Sequence, residues 1–216
     1  MRLFVAAYPP AEALEDLAGL VSGLAIGQPR AAGESLRLVP PERWHLTLAF
    51  LGEVADERLP DVHTALAAAA SRWPDQRPAP SVALCGGGRF GKGRFTTVWT
   101  GVRGDTAALG DVVTDIRQQL RRARLPFDAK AYRPHVTLAR PADRLSEEEL
   151  AADLDRLGRH QGPQWTVEAI ELVRSTLGPQ ITYERLASWP LVAPTRPTPP
   201  GRGRPFRAGG RSRRAA

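Results

Sequence analysis

Arg43-Trp44-His45-Leu46-Thr47-Leu48-Ala49 and Arg133-Pro134-His135-Val136-Thr137-Leu138-Ala139 are two copies of one frame, in which histidine and threonine alternate with aliphatic residues. Successive side chains of an extended strand point to opposite faces. His45 and Thr47 therefore share a face while Leu46 and Leu48 anchor the other, and His135 with Thr137 stand in the same relation to Val136 and Leu138. Each copy leads through a loop-like, acidic stretch into a helical pattern. After the first, Leu59, Val62, Leu66, Ala69 and Trp73 recur at helical spacing; after the second, Ser146 is an N-cap with Glu149 three residues on and Leu145 placed against Leu150. Such an internal repeat predicts two related halves. If these face each other across a pseudo-twofold axis, the two frames meet in one cleft.

The rest of the chain fits around them. Residues 2 to 8 alternate and run into Pro9-Pro10, a strand that ends at a helix start, and Leu14, Leu17, Val21 and Leu24 continue as a helix. A short strand is expected near Leu36 to Val39, and the first frame lies in a strand over His45 to Leu51. Strands around Ser81 to Leu84 and Phe95 to Val102 flank a glycine-rich connection that reads as a hairpin. Leu109, Val112, Val113, Ile116 and Leu120 mark another helix, with Arg121, Arg122 and Arg124 at its end, where cations suit the helix dipole. Two strands, near Trp165 to Arg174 and Thr182 to Leu191, close the core. Strands and helices follow no strict βαβ rhythm. The expected class is α+β: two pseudo-symmetric lobes, each an antiparallel sheet with helices, around a central cleft.

With 216 residues, 42% of them hydrophobic, the chain can fill one bilobal domain. No apolar run approaches the length of a bilayer span, so no membrane partner is expected and the cytoplasm is the expected location. Cys85 is the single cysteine, which excludes an intrachain disulfide and a thiolate cluster. The net charge of +7 suggests nucleic acid until its position is considered. Seven of the 30 basic residues follow Val192 and none of the 23 acids does, which leaves 23 of each sign in residues 1 to 192. The expected division is a folded domain over 1 to 192 and a disordered Arg/Pro/Gly-rich tail over 193 to 216. That tail is either a nonspecific RNA contact or a solubilising extension.

Hydrolysis of a cyclic phosphodiester needs a base for the attacking water and an acid for the departing ribose oxygen, and imidazole serves either role near neutral pH. Threonine hydroxyls can hold the non-bridging oxygens and stabilise the charge that develops on phosphorus. Histidine on a half-buried strand is often only structural. The weight here comes from duplication, since two of only four histidines share the frame. His63 and His160 form no metal-ligand spacing with them, so no metal and no cofactor are expected.

Taken with Arg2-Leu3-Phe4-Val5-Ala6, Phe50-Leu51-Gly52, Tyr132 before Arg133, Arg140, Arg174-Ser175, Tyr183 and Trp189-Pro190-Leu191, the paired frame resembles the 2H phosphoesterase superfamily. It is most similar to the RNA 2′,3′-cyclic phosphodiesterase, or 2′-5′ RNA ligase-like, family. That resemblance implies hydrolysis of RNA 2′,3′-cyclic phosphate ends to 2′-phosphate ends, with 2′-5′ ligation in the reverse sense for some members. It also implies His45 as proton donor and His135 as proton acceptor. The residues alone do not fix that direction, because the halves look alike. The segment Gly178-Pro179-Gln180-Ile181-Thr182-Tyr183 departs from the family spacing.

Arg133 is two residues before His135 and is expected to join Thr47 and Thr137 in binding phosphate. Arg140 has the opposite parity. Phe4 and Tyr8 are candidate base-stacking rings, although Phe4 suits the core. Gly86-Gly87-Gly88-Arg89-Phe90-Gly91 satisfies a dinucleotide fingerprint formally, but it lies between strands and is expected to form a hairpin tip. Two alternatives stay open: a noncatalytic RNA-binding module, and a phosphodiesterase for small cyclic nucleotides. A monomer is expected.

Overall fold

A computed structural model describes residues 1–29, 36–141, 144–178 and 181–193. The tail expected from 193 onward lies outside the described residues except for Ala193, as do Pro179 and Gln180 of the unusual segment. The strands are β1 (Arg2–Ala7), β2 (Leu46–Glu53), β3 (Ser81–Phe90), β4 (Thr97–Gly104), β5 (His135–Ala139), β6 (Gln161–Thr166), β7 (Ala169–Thr176) and β8 (Thr182–Pro190). The helices are α1 (Ala11–Ser22), α2 (Leu59–Ala70), the single turn α3 (Trp73–Gln76), α4 (Thr106–Arg122) and α5 (Glu147–Arg159).

Two antiparallel four-stranded sheets result, ordered β2-β1-β7-β8 and β5-β4-β3-β6. The α+β, two-sheet architecture is the one the repeat predicts. Helices α2 and α4 pack on the first sheet, α1 and α5 on the second. One apolar core runs through both, from Leu3, Leu17 and Trp44 to Leu138, Leu157 and Ile170. The capping box of α5 forms as expected, with the Glu149 amide donating to Ser146 Oγ at 3.1 Å and the Ser146 amide donating to Glu149 Oε2 at 2.9 Å. None of the helices among the described residues is long and apolar enough to cross a membrane.

Local differences from the sequence expectation have identifiable causes. The pattern that includes Trp73 is broken after Ala70, because Pro74 has no amide to donate and its ring would clash with the carbonyl four residues earlier. Trp73 still reaches the core through α3. The closing strands number three, since β6 runs through Gly162 and Pro163; it is an edge strand, where proline is tolerated. Leu36 to Val39 reduces to one bridge, Leu38 to Ala139, before Pro40-Pro41 ends the extended run.

The glycine-rich segment is strand, not a hairpin tip. A Cβ at Gly87 would sit 2.7 Å from Leu157 Cβ, and one at Gly88 would sit 2.5 Å from the Trp99 ring. The glycines thus admit α5 and the indole, and the turn falls later, between Phe90 and Thr97. The flat Trp99 ring then stacks on Phe90 at 5.1 Å.

Candidate active site

The motif strands β2 and β5 are edge strands of different sheets, and they come into contact. Each outer edge is closed by the segment that precedes the other motif. Val39 N–H donates to Leu138 O at 2.7 Å, and Asp128 N–H donates to Phe50 O at 2.8 Å. Exchange of these segments satisfies backbone groups that an edge strand otherwise leaves open, and it holds the two strands in fixed relation.

His45, Thr47, His135 and Thr137 consequently line one cleft of about 500 Å³. Alternation operates as predicted: Thr47 and Thr137 are half-buried at the cleft, whereas Leu46, Leu48, Val136 and Leu138 are buried behind them. Both imidazoles are held in the same way. His45 Nδ1 lies 2.7 Å from Arg43 O, and His135 Nδ1 lies 2.7 Å from Arg133 O. A carbonyl oxygen only accepts, so Nδ1 carries hydrogen in each ring and Nε2 remains the reactive nitrogen.

The surroundings of the two rings differ. His45 stacks on Phe4 at 4.9 Å and meets the edge of Tyr183 at 5.4 Å, with Tyr8 at 5.8 Å. This burial pushes its pKa below the ordinary histidine value; the Arg43 carbonyl opposes the shift, and charge on His135 adds to it. Beside His135 stand Phe90 at 5.0 Å, edge to face, and Trp99 at 6.0 Å.

Arg2, Arg43 and Arg140 also line the cleft, and among its described lining residues there is no carboxylate. Such a pocket favours an anion. Arg43 is braced by donating from Nη1 to Ile181 O at 2.7 Å, and the Arg2 guanidinium lies 5.0 Å from the centre of the Phe50 ring. Among the described residues no group of three or more His, Cys, Asp or Glu side chains could hold a metal ion.

Arg133 is placed elsewhere. It lines an adjoining hollow instead of the cleft, while Arg140, disfavoured by parity, faces the cleft. Both lie just outside β5, where strand alternation no longer fixes direction. The repeat carried a usable signal, because Arg43 precedes His45 as Arg133 precedes His135; yet only Arg43 reaches the cleft. Phe4 is a buried support for His45, and Tyr8 packs under the Arg185 guanidinium at 3.7 Å. His63 contacts Trp189 at 5.5 Å and His160 Nε2 lies 3.1 Å from Asp16, both away from the cleft.

Residues 4–179 match the family model of the 2′-5′ RNA ligase superfamily. An RNA 2′,3′-cyclic phosphodiesterase of Thermus thermophilus is 32% identical over 190 residues, covering 83% of this chain and 84% of that protein. The protein of the same name from Geobacillus stearothermophilus is 31% identical over 76% of this chain, which spans only 51% of that relative's length. Among solved structures, a Thermus thermophilus protein superposes with a TM-score of 0.65 at 28% identity, covering 88% of this chain and 98% of its own. Escherichia coli LigT complexed with phosphate gives a TM-score of 0.63 at 26% identity, covering 89% of this chain and 98% of its own.

Proposed function

From the premise that this chain belongs to the 2′-5′ RNA ligase superfamily, we propose that it hydrolyses RNA 2′,3′-cyclic phosphate ends to 2′-phosphate ends by paired-histidine acid–base catalysis. One observation carries this reading: two imidazoles, each tied through Nδ1 to the carbonyl two residues before it, line one cleft with three arginines and no carboxylate among its described lining residues. The names of the Thermus and Geobacillus relatives support it.

The cyclic phosphate sits between the histidines with its non-bridging oxygens on Thr47 and Thr137, and Arg43 and Arg140 balance its charge. His135 Nε2 takes a proton from water as the water oxygen bonds to phosphorus. The bond from phosphorus to the ribose 3′ oxygen breaks, and His45 Nε2 supplies that oxygen with its proton. The threonine hydroxyls and arginines stabilise the extra negative charge of the five-coordinate transition state. His45 as donor follows the family resemblance. In the free protein its burial favours the neutral ring, and the bound phosphate anion provides the opposite charge that raises its pKa and keeps it protonated. With an RNA 5′-hydroxyl in place of water, the same transfers form a 2′-5′ linkage. Both proton transfers are made by protein side chains, so the reaction is metal-independent.

The test is release of a 2′-phosphate from an oligonucleotide with a 2′,3′-cyclic phosphate end, in the presence of chelator. Full wild-type activity is expected, with loss of at least about a hundredfold in His45→Ala and in His135→Ala. Activity that survives either substitution, or that chelator abolishes, contradicts the mechanism.

A further inference from the structure

One side chain joins the two outermost strands of the first sheet. Arg43 stands shortly before β2 and Ile181 directly before β8, at opposite ends of the order β2-β1-β7-β8. Arg43 Nη1 nevertheless donates to Ile181 O at 2.7 Å, across 138 positions of sequence. A hydrogen bond from a guanidinium is charge-assisted and stronger than a neutral one. Two residues after Ile181 comes Tyr183, whose ring meets Phe4 at 5.2 Å and His45 at 5.4 Å, edge-on to both.

The main chain of the same arginine holds His45 directly, since Arg43 O accepts from His45 Nδ1 at 2.7 Å. Arg43 thus reaches the imidazole by two routes, through its own carbonyl and through the strand that carries Tyr183. The second half has only the first route. Arg133 O accepts from His135 Nδ1, but the Arg133 side chain lines the adjoining hollow. His135 has less need of such a tie. Its neighbours Phe90 and Trp99 stand on β3 and β4, which are joined to β5 by consecutive ladders, whereas Tyr183 comes from the far edge of its sheet.

We infer that the Arg43 side chain is a positioning residue for His45: it holds the start of β8 so that Tyr183 stays against the imidazole, and so distinguishes the first histidine from the second. One guanidinium nitrogen is used in this way, and the others remain for an anion in the cleft. The inference deepens the phosphodiesterase reading and rests on it for its catalytic meaning, because cover by Tyr183 is part of the burial that keeps His45 neutral until an anion arrives. The other charged or titratable groups around His45 are His135 across the cleft, Tyr8 on β1 beneath Arg185, and Arg2 and Arg140 of the cleft lining.

The experiment is an NMR titration of the imidazoles in the free protein, in phosphate-free buffer, for the wild type, Arg43→Met, Tyr183→Leu and the double variant. The His45 signal is the one missing from His45→Gln. Methionine keeps an apolar stem and leaves the backbone carbonyl in place on His45; Arg43 and Tyr183 are both partly exposed, and thermal unfolding checks that each variant folds. The His45 midpoint is expected to rise in each single variant. The rise caused by Arg43→Met is expected to fall to less than about half in the Tyr183→Leu background, because residues that act through one another are not additive. Loss of guanidinium charge alone would give the same rise in both backgrounds. A rise that keeps more than about half its size there, or no rise when Tyr183 is present, overturns the positioning role. Wild-type turnover of an oligonucleotide with a 2′,3′-cyclic phosphate end is measured alongside. Its absence overturns the phosphodiesterase reading, while the titration still decides whether Arg43 acts on His45 through Tyr183.

Discussion

The imidazole of His45 stacks on Phe4 with ring centroids 4.9 Å apart and planes 29° from parallel. That contact, with Tyr183 against the same ring, makes protonation of His45 more difficult than in water. The consequence is a difference between the free and the substrate-bound enzyme. If His45 is the acid, the alkaline limb of kcat/KM, which reports the free enzyme, falls below about pH 6.5, the ordinary histidine value. The limb of kcat, which reports the complex with its anion, lies higher. Phe4→Leu, which removes part of the aromatic cover, moves the kcat/KM limb upward. A kcat/KM limb above that of kcat contradicts this account.

The same shift bears on stability. His45 has a folded-state pKa below its unfolded value, so the unfolded chain binds more protons in the interval between the two. Its contribution is complete above about pH 6.5, the ordinary histidine value, and is lost as pH falls through that interval toward the folded-state pKa. Denaturant unfolding between about pH 7.5 and 5 should show this slope in the wild type and less of it in His45→Gln. Inorganic phosphate should reduce it too, by binding the folded protein with His45 charged.

Thr47 and Thr137 present hydroxyls to the cleft while their neighbours pack behind. Thr→Val keeps shape and strand propensity and removes the donor. Each substitution is expected to lower kcat about a hundredfold with little change in thermal stability. An equal loss confined to KM would show uniform binding and no special role in the transition state.

Asp153 is buried at 2% exposure and accepts from the amides of Ala25 at 2.7 Å and Ile26 at 2.9 Å, which ties α5 to the turn after α1. Asp153→Ala leaves both donors unmet. A loss of about 2 to 3 kcal/mol in unfolding free energy is expected. The kcat of the remaining folded enzyme should be unchanged, because the contact lies outside the cleft.

At Gly88 a methyl group would meet the Trp99 ring at 2.5 Å, and Trp99 lies 6.0 Å from His135. Gly88→Ala should therefore cost about 1 to 3 kcal/mol and also lower kcat by displacing the indole. Thermal unfolding and steady-state kinetics measured together test this. A stability loss with unchanged kcat would show that the indole yields away from His135.

The repeated His-x-Thr frame was legible because strand alternation is local. Given an extended backbone, His45 with Thr47 and His135 with Thr137 must share a face whatever surrounds them. The α5 start was legible for the same reason, since a capping box closes within one turn. Past the strand ends that logic stops: Arg140 reached the cleft against parity, and Arg133 left it although its sequence position mirrors that of Arg43. Gly87 and Gly88 read as a turn because nothing nearby in sequence announces Leu157 or Trp99 above them.

The sequence by itself determined the chemistry available to this protein: two imidazoles and two hydroxyls on rigid strands, and basic character concentrated in the last residues and not in residues 1 to 192. Only the tertiary structure decided that these groups meet, which arginines join them, and that Phe4 and Tyr183 enclose one histidine while Phe90 and Trp99 flank the other. The division follows from range. A side chain's face is set by its own backbone, whereas its neighbours and its desolvation are set by chain segments far away in sequence.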